Sequence, residues 1–106
     1  MRRFPFLALI GLIASPLWAG SQPLISQRQN ALLDLLHQDC GSCHGMTLKG
    51  GLGPALLPST LQGKPDALLT ETILKGRAGT AMPPWRELIT AEEALWLVHQ
   101  LKNPSP

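Results

Sequence analysis

Cys40-Gly41-Ser42-Cys43-His44 sets two thiols three positions apart, with an imidazole directly after the second. On a helix this spacing puts both sulfurs on one side, about one turn apart. From there they reach the two vinyl groups along one edge of a porphyrin, and the adjacent histidine lies under the iron. C-x-x-C-H therefore reads as a site of covalent c-type haem attachment. A thioredoxin-like dithiol needs a strand leading into the motif, whereas a helical pattern leads in here. A zinc site needs two more ligands, and the remaining histidines, His37 and His99, stand at no recognisable spacing. The motif is read as one haem c, covalent through Cys40 and Cys43, with His44 as an iron ligand.

Working outward, the stretch from Gln27 to Cys40 predicts a helix, with Ala31, Leu32, Leu35 and Leu36 on one broad apolar face. A second helix is predicted from Pro65 to Lys75. Pro65 suits a first helical position and Gly76 the residue after the end. Its apolar set is Leu68, Leu69, Thr72 and Ile73. The third helix carries the clearest start signal. Thr90 and Glu93 form a capping box, Ile89 is placed to staple it, and the helix runs to Lys102 with Leu97, Val98 and Leu101 as its buried stripe. Beyond residue 19, β-branched residues are scarce and no window alternates apolar with polar, which excludes a sheet. The fold class is all-α. Gly45 to Lys64 and Arg77 to Leu88 are too rich in glycine and proline for regular structure. Loops of that length in so small a domain wrap something or act on something.

The N-terminus reads as a secretory signal peptide. Arg2 and Arg3 precede an uncharged apolar run from Phe4 to Trp18, and Ala19-Gly20-Ser21 supplies small residues for the cut. The expected division is residues 1–19 as signal and 20–106 as the domain, with an uncleaved N-terminal anchor as the alternative. Localisation is then periplasmic, with no membrane attachment after cleavage. The cut removes Arg2 and Arg3, so Lys+Arg falls from 9 to 7 against 7 Asp+Glu, and the net charge goes from +2 to zero. With no basic run and only Trp85 and Trp96 as aromatics, the domain offers nothing for nucleic acid. Its 87 residues make a marginal core, of the kind that a cofactor or cross-links complete. A Cys40–Cys43 disulfide would close almost no chain and stabilise little. The haem supplies the missing core, and a monomer is expected.

The iron then needs a sixth ligand or has an open site. Met46 follows His44 too closely to reach the opposite face. Met82 lies in Gly79-Thr80-Ala81-Met82-Pro83-Pro84-Trp85, a loop stiffened by two prolines. It is read as the sixth ligand rather than as core filler. His37 and His99 are read as surface or packing residues. A thioether ligand raises the reduction potential relative to bis-histidine ligation.

In order and spacing, Cys40-x-x-Cys43-His44-Gly45, Gly53-Pro54-Ala55-Leu56, Ile73-Leu74-Lys75-Gly76, Met82-Pro83 and the closing helix after Thr90 resemble class I cytochromes c in their small bacterial form. The resemblance covers nearly all of the domain and implies three main helices around one haem. It also implies that the Pro54 carbonyl, after Gly53, accepts a hydrogen bond from His44 and fixes the imidazole. One departure is Gln100, where family members often place an aromatic residue in the last helix. Trp96, four residues earlier on the same face, is available for that packing. Trp85 is read either as packing on a haem edge or as a loop aromatic. Among Arg77, Arg86, Lys49 and Lys64, Arg77 is preferred for a haem propionate because it precedes the Met82 loop.

Cys-Gly-Ser-Cys-His-Gly-Met, the short glycine-rich loop to Gly53-Pro54 and Met82-Pro83-Pro84-Trp85 are similar, more narrowly, to the c55X group of small periplasmic cytochromes associated with cytochrome cd1 nitrite reductase in denitrifying bacteria. That resemblance implies a one-electron carrier and not an enzyme. It would donate electrons to the nitrite reductase, or accept them in the last step of haem d1 formation. The alternatives are a haem protein with an open or labile sixth site, of ligand-binding or peroxidase-like type, and an assembly partner in haem d1 maturation. The apolar loop residues Leu48, Leu52, Ala55, Leu56, Leu57 and Leu61 divide between a haem crevice and a small docking patch, in proportions the sequence does not give.

Overall fold

A computed structural model gives the fold and describes residues 11–15 and 24–105. The signal segment expected over residues 1–19 and its cut fall outside the described residues, apart from 11–15, which form no helix or strand. Among the described residues no helix is long and apolar enough to cross a membrane.

Helix α1 (Ser26–Leu35) runs on through a π-helical turn (Leu36–Cys40) into the single turn of α2 (Gly41–His44). The predicted first helix therefore continues through the whole cysteine motif. A π turn is a local widening of a helix that is frequent at functional sites, and here its last residue is Cys40. The buried face is narrower than the sequence suggests. Leu32 and Leu36, four apart, are buried, Leu35 is half-buried and Ala31 is exposed.

A one-turn helix, α3 (Pro58–Leu61), stands inside the stretch expected to be irregular. Pro58 in its first turn has no N–H to leave unpaired, and Leu61 buries against the core. Helix α4 (Asp66–Lys75) begins one residue later than expected, because Pro65 keeps an extended backbone (φ −60°, ψ 139°) just outside it. Its half-buried apolar residues are Leu69, Ile73 and Leu74, and Leu68 stands out in solvent, 53% exposed. Thr72 turns its hydroxyl back to the Leu68 carbonyl at 2.8 Å.

Helix α5 (Ala91–Lys102) starts at the predicted capping box. Glu93 N–H donates to Thr90 Oγ1 at 3.1 Å, and Thr90 N–H donates to Glu93 Oε1 at 3.0 Å. Ile89 before it is buried. Helix α5 is the centre of the fold, with α1, α3 and α4 all packed on it. It buries Ala94, Leu97, Val98 and Leu101, and Leu32, Leu36, Leu61 and Ile89 complete the core. Each leucine of this set contributes about 1.5–3 kcal/mol by leaving water. Trp96 is half-buried against the same cluster, which also takes Leu32 from α1 and Leu36 from the π-helical turn.

A polar clamp ties α4 to α5. Asp66 accepts from Lys102 Nζ at 2.6 Å and pairs with His99 Nε2 at 2.9 Å, and Lys102 also donates to the Lys64 carbonyl at 2.6 Å. The Lys102 ammonium, with His99 beside it, holds the Asp66 carboxyl below the usual carboxylate range. A lowered folded pKa gives stability that is present above the unfolded value of about 4 and is lost as pH falls through the folded value. Asp66→Asn is therefore expected to lower the melting temperature at neutral pH and to flatten its fall on the acid side. A variant whose acid limb matches the wild type would exclude the clamp.

Candidate haem-binding site

Cys40 and Cys43 are not disulfide-bonded and are both half-buried, on the last turns of the α1–α2 helical run. Before haem is attached, burial, with the Asp39 charge beside it, pushes the Cys40 thiol up to about 11. Ser42 between them donates to the Asp39 carbonyl at 2.7 Å. The run ends at His44 because Gly45 takes φ +91°, in a region that side chains disfavour.

The loop beyond folds back under the imidazole. Gly50 N–H bonds to the His44 carbonyl and Gly53 N–H to the Cys43 carbonyl, each at 2.8 Å. This places the Pro54 carbonyl 2.6 Å from His44 Nδ1. A carbonyl only accepts, so Nδ1 carries the proton, and Nε2 keeps its lone pair for a metal. Gly53 packs so tightly here that a Cβ would stand 2.8 Å from His44 Cε1 and Nδ1. Its role against the ring is contact, which sequence alone would take for a turn. Leu48, at φ +59°, is the one non-glycine residue of positive φ among the described residues. Hydrogen bonds on both sides hold it, from its own N–H to Gly45 O (2.8 Å) and from Leu56 N–H to its carbonyl (2.9 Å). Nothing in the sequence marks that strain.

Met82 is half-buried in the loop between α4 and α5. The loop is pinned to the end of α4. Trp85 N–H donates to Ile73 O at 3.1 Å and Arg86 N–H to Leu74 O at 3.2 Å, using carbonyls that a helix end leaves free. Arg77 N–H closes the loop onto Met82 O at 3.2 Å. Gly76 (φ +67°) lets this happen. A Cβ there would lie 2.6 Å from Pro83 C and 2.7 Å from Met82 O. Gly76→Ala combines a disfavoured backbone with a backbone collision and is expected to cost about 2–4 kcal/mol. Thermal unfolding of the haem-loaded protein reads it, and a loss under 0.5 kcal/mol, on the order of an ordinary surface change, would contradict the packing.

The remaining expected residues fall as follows. Trp85 is half-buried and packs against the core cluster. Arg77 is exposed at the start of the Met82 loop, as are Lys49 and Lys64 on theirs. Arg86 faces Glu87 at 3.5 Å. His37 is exposed, and His99 belongs to the Asp66 clamp. Among the described residues no group of three or more His, Cys, Asp and Glu could hold a metal ion. Of the apolar loop residues, Leu61 is buried and Leu48 and Leu56 pack on the core, while Leu52 stands 91% exposed.

The donor set fits a covalent haem. It offers two thiols on one helical turn, an imidazole whose Nε2 is free, a glycine that lets the loop lie flat against that ring, and half-buried apolar side chains. The comparisons agree. A family profile described as cytochrome c oxidase, cbb3-type, subunit III, matches residues 28–99. Cytochrome c55X of Pseudomonas aeruginosa is 51% identical over 98 residues, covering 91% of this chain and 82% of that protein. This chain belongs to the cytochrome c55X family. The solved structure of the c-type cytochrome NirC superposes on this chain with a TM-score of 0.73 at 54% identity, over 74% of this chain and 93% of the other. Dihydro-heme d1 dehydrogenase NirN, solved in complex with DHE, superposes with a TM-score of 0.63 at 36% identity, over 70% of this chain but only 16% of that one. The fold is thus the all-α class I cytochrome c fold, and the cofactor is one haem c on Cys40 and Cys43. The protein is a monohaem cytochrome electron carrier.

Proposed function

We propose that His44 and Met82 would hold the haem iron and that this carrier accepts electrons, one at a time, from the enzyme that completes haem d1. The bound haem supplies one-electron Fe(III)/Fe(II) exchange. The protein fixes the imidazole through Pro54, holds the thioether on a loop braced by α4, and makes no bonds of its own. Removal of residues 1–19 would leave it free in the periplasm, and Arg77 and Trp85 are the residues assigned to the haem periphery.

The observation that carries the partner assignment is the likeness to NirN. A domain of the same fold occupies about a sixth of a dehydrogenase acting on dihydro-haem d1. This chain is similar to that domain as a separate molecule, suited to take electrons away. Oxidation of one dihydro-haem d1 releases two electrons and two protons, so two ferric cytochromes are reduced for each molecule converted. Stopped-flow mixing of the ferric protein with a substrate-loaded dihydro-haem d1 dehydrogenase is expected to show that stoichiometry. No reduction there, with rapid oxidation of the ferrous protein by cytochrome cd1 nitrite reductase and nitrite, would reverse the direction of flow. Failure in both reactions would leave the assembly-partner role, which a null strain lacking only haem d1 would support.

A further inference from the structure

Glu93 is the one buried charged residue among the described residues, and its carboxylate does two jobs. Oε1 accepts the Thr90 N–H of the capping box. Oε2 accepts Arg28 Nε from α1, sixty-five residues away in sequence. The same guanidinium donates from Nη2 to the Leu88 carbonyl at 3.4 Å. Leu88 and Ile89 in turn donate their N–H groups to the Trp85 carbonyl at 2.9 and 3.1 Å, and Trp85 is the residue anchored to Ile73. Only Pro83 and Pro84 separate Trp85 from Met82, and their fixed φ leaves little slack between anchor and thioether.

We infer that Arg28, seated on Glu93, is a positioning residue for Met82. It latches the C-terminal end of the Met82 loop to the helix that carries the haem cysteines, and so resists departure of the thioether from the iron. The two sides of the haem are thereby joined by a side chain as well as through the core. The Arg28 guanidinium holds the Glu93 carboxyl below its usual range. Hydrogen bonds to charged groups are the strong members of their class.

This inference rests on Met82 ligation. The test is imidazole binding to the ferric haem protein, which competes with Met82, read together with the sulfur-to-iron charge-transfer band. Arg28→Gln is expected to raise imidazole affinity about fivefold to tenfold, and Arg28→Lys is expected to fall between it and wild type. Leu32→Val, a core change on the same helix, controls for lost stability. It should lower the melting temperature and leave imidazole affinity within twofold of wild type. Unchanged affinity in Arg28→Gln, with the band present in wild type, overturns the latch and leaves the ligation standing. An equal rise in Leu32→Val reduces Arg28 to a structural role. A wild-type protein without the band overturns both.

Discussion

Met82→Ala is expected to abolish the sulfur-to-iron band, to lower the reduction potential by on the order of 100 mV, and to open the ferric haem to imidazole and cyanide. The size of the shift follows from ligation. Axial ligands move haem potentials across a range of roughly 0.8 V, and a thioether favours the ferrous state more than nitrogen donors or water do. The geometry makes Met82 the residue to test. Its loop returns onto α4 through Trp85 and Arg86, closes on itself through Arg77, and crosses Gly76 at a distance that excludes a side chain. A loop held at three points presents one side chain with little conformational freedom. Alanine removes the donor and leaves the backbone contacts intact, so the variant should still fold. If potential, band and ligand affinity all stay at wild-type values, Met82 is no ligand, and the open-site alternative takes its place.

The second large effect concerns the cysteines. A Cys40→Ala/Cys43→Ala chain, which cannot hold haem covalently, is expected to lose most of its helical circular dichroism and to show no cooperative melting. The described core is small. It consists of eight hydrophobic residues centred on one face of α5. Helix α4 has no fully buried residue, although Leu69, Ile73 and Leu74 are half-buried against the core. So short a set makes a marginal core, of the kind that a cofactor completes. Helix propensity adds little at lengths of 10 to 12 residues. A native-like helical spectrum with a sharp transition in the double variant would show that the polypeptide core suffices.

Much of this was legible in the residues because the decisive signals are local. The cysteine motif and the capping box are short spacings whose chemistry does not depend on distant neighbours. Helix α5 and the Pro54 hydrogen bond to His44 follow the reading closely, the second by way of family resemblance. The one-turn helix at Pro58 was missed, since four residues give no periodicity to see. The buried face of α1 was drawn too wide for a similar reason: periodicity marks apolar positions but not how much of the stripe a neighbour covers. Leu52, exposed, and Leu56, packed, look alike in sequence, whereas in the fold the Leu56 N–H pairs with the Leu48 carbonyl. Gly53 against the imidazole, Gly76 under Pro83, and Arg28 on Glu93 are contacts between distant segments. No pattern in a single sequence announces them.

His44 and Met82 are the proposed ligands of one haem c. Optical spectra of the mature protein, produced with haem-attachment machinery and recorded oxidised and reduced, test that most directly. The predicted result is a sharp low-spin c-type spectrum, with the weak long-wavelength ferric band of sulfur-to-iron charge transfer. A high-spin spectrum would contradict the sixth ligand and favour an open site. A colourless protein under the same conditions would contradict haem attachment itself.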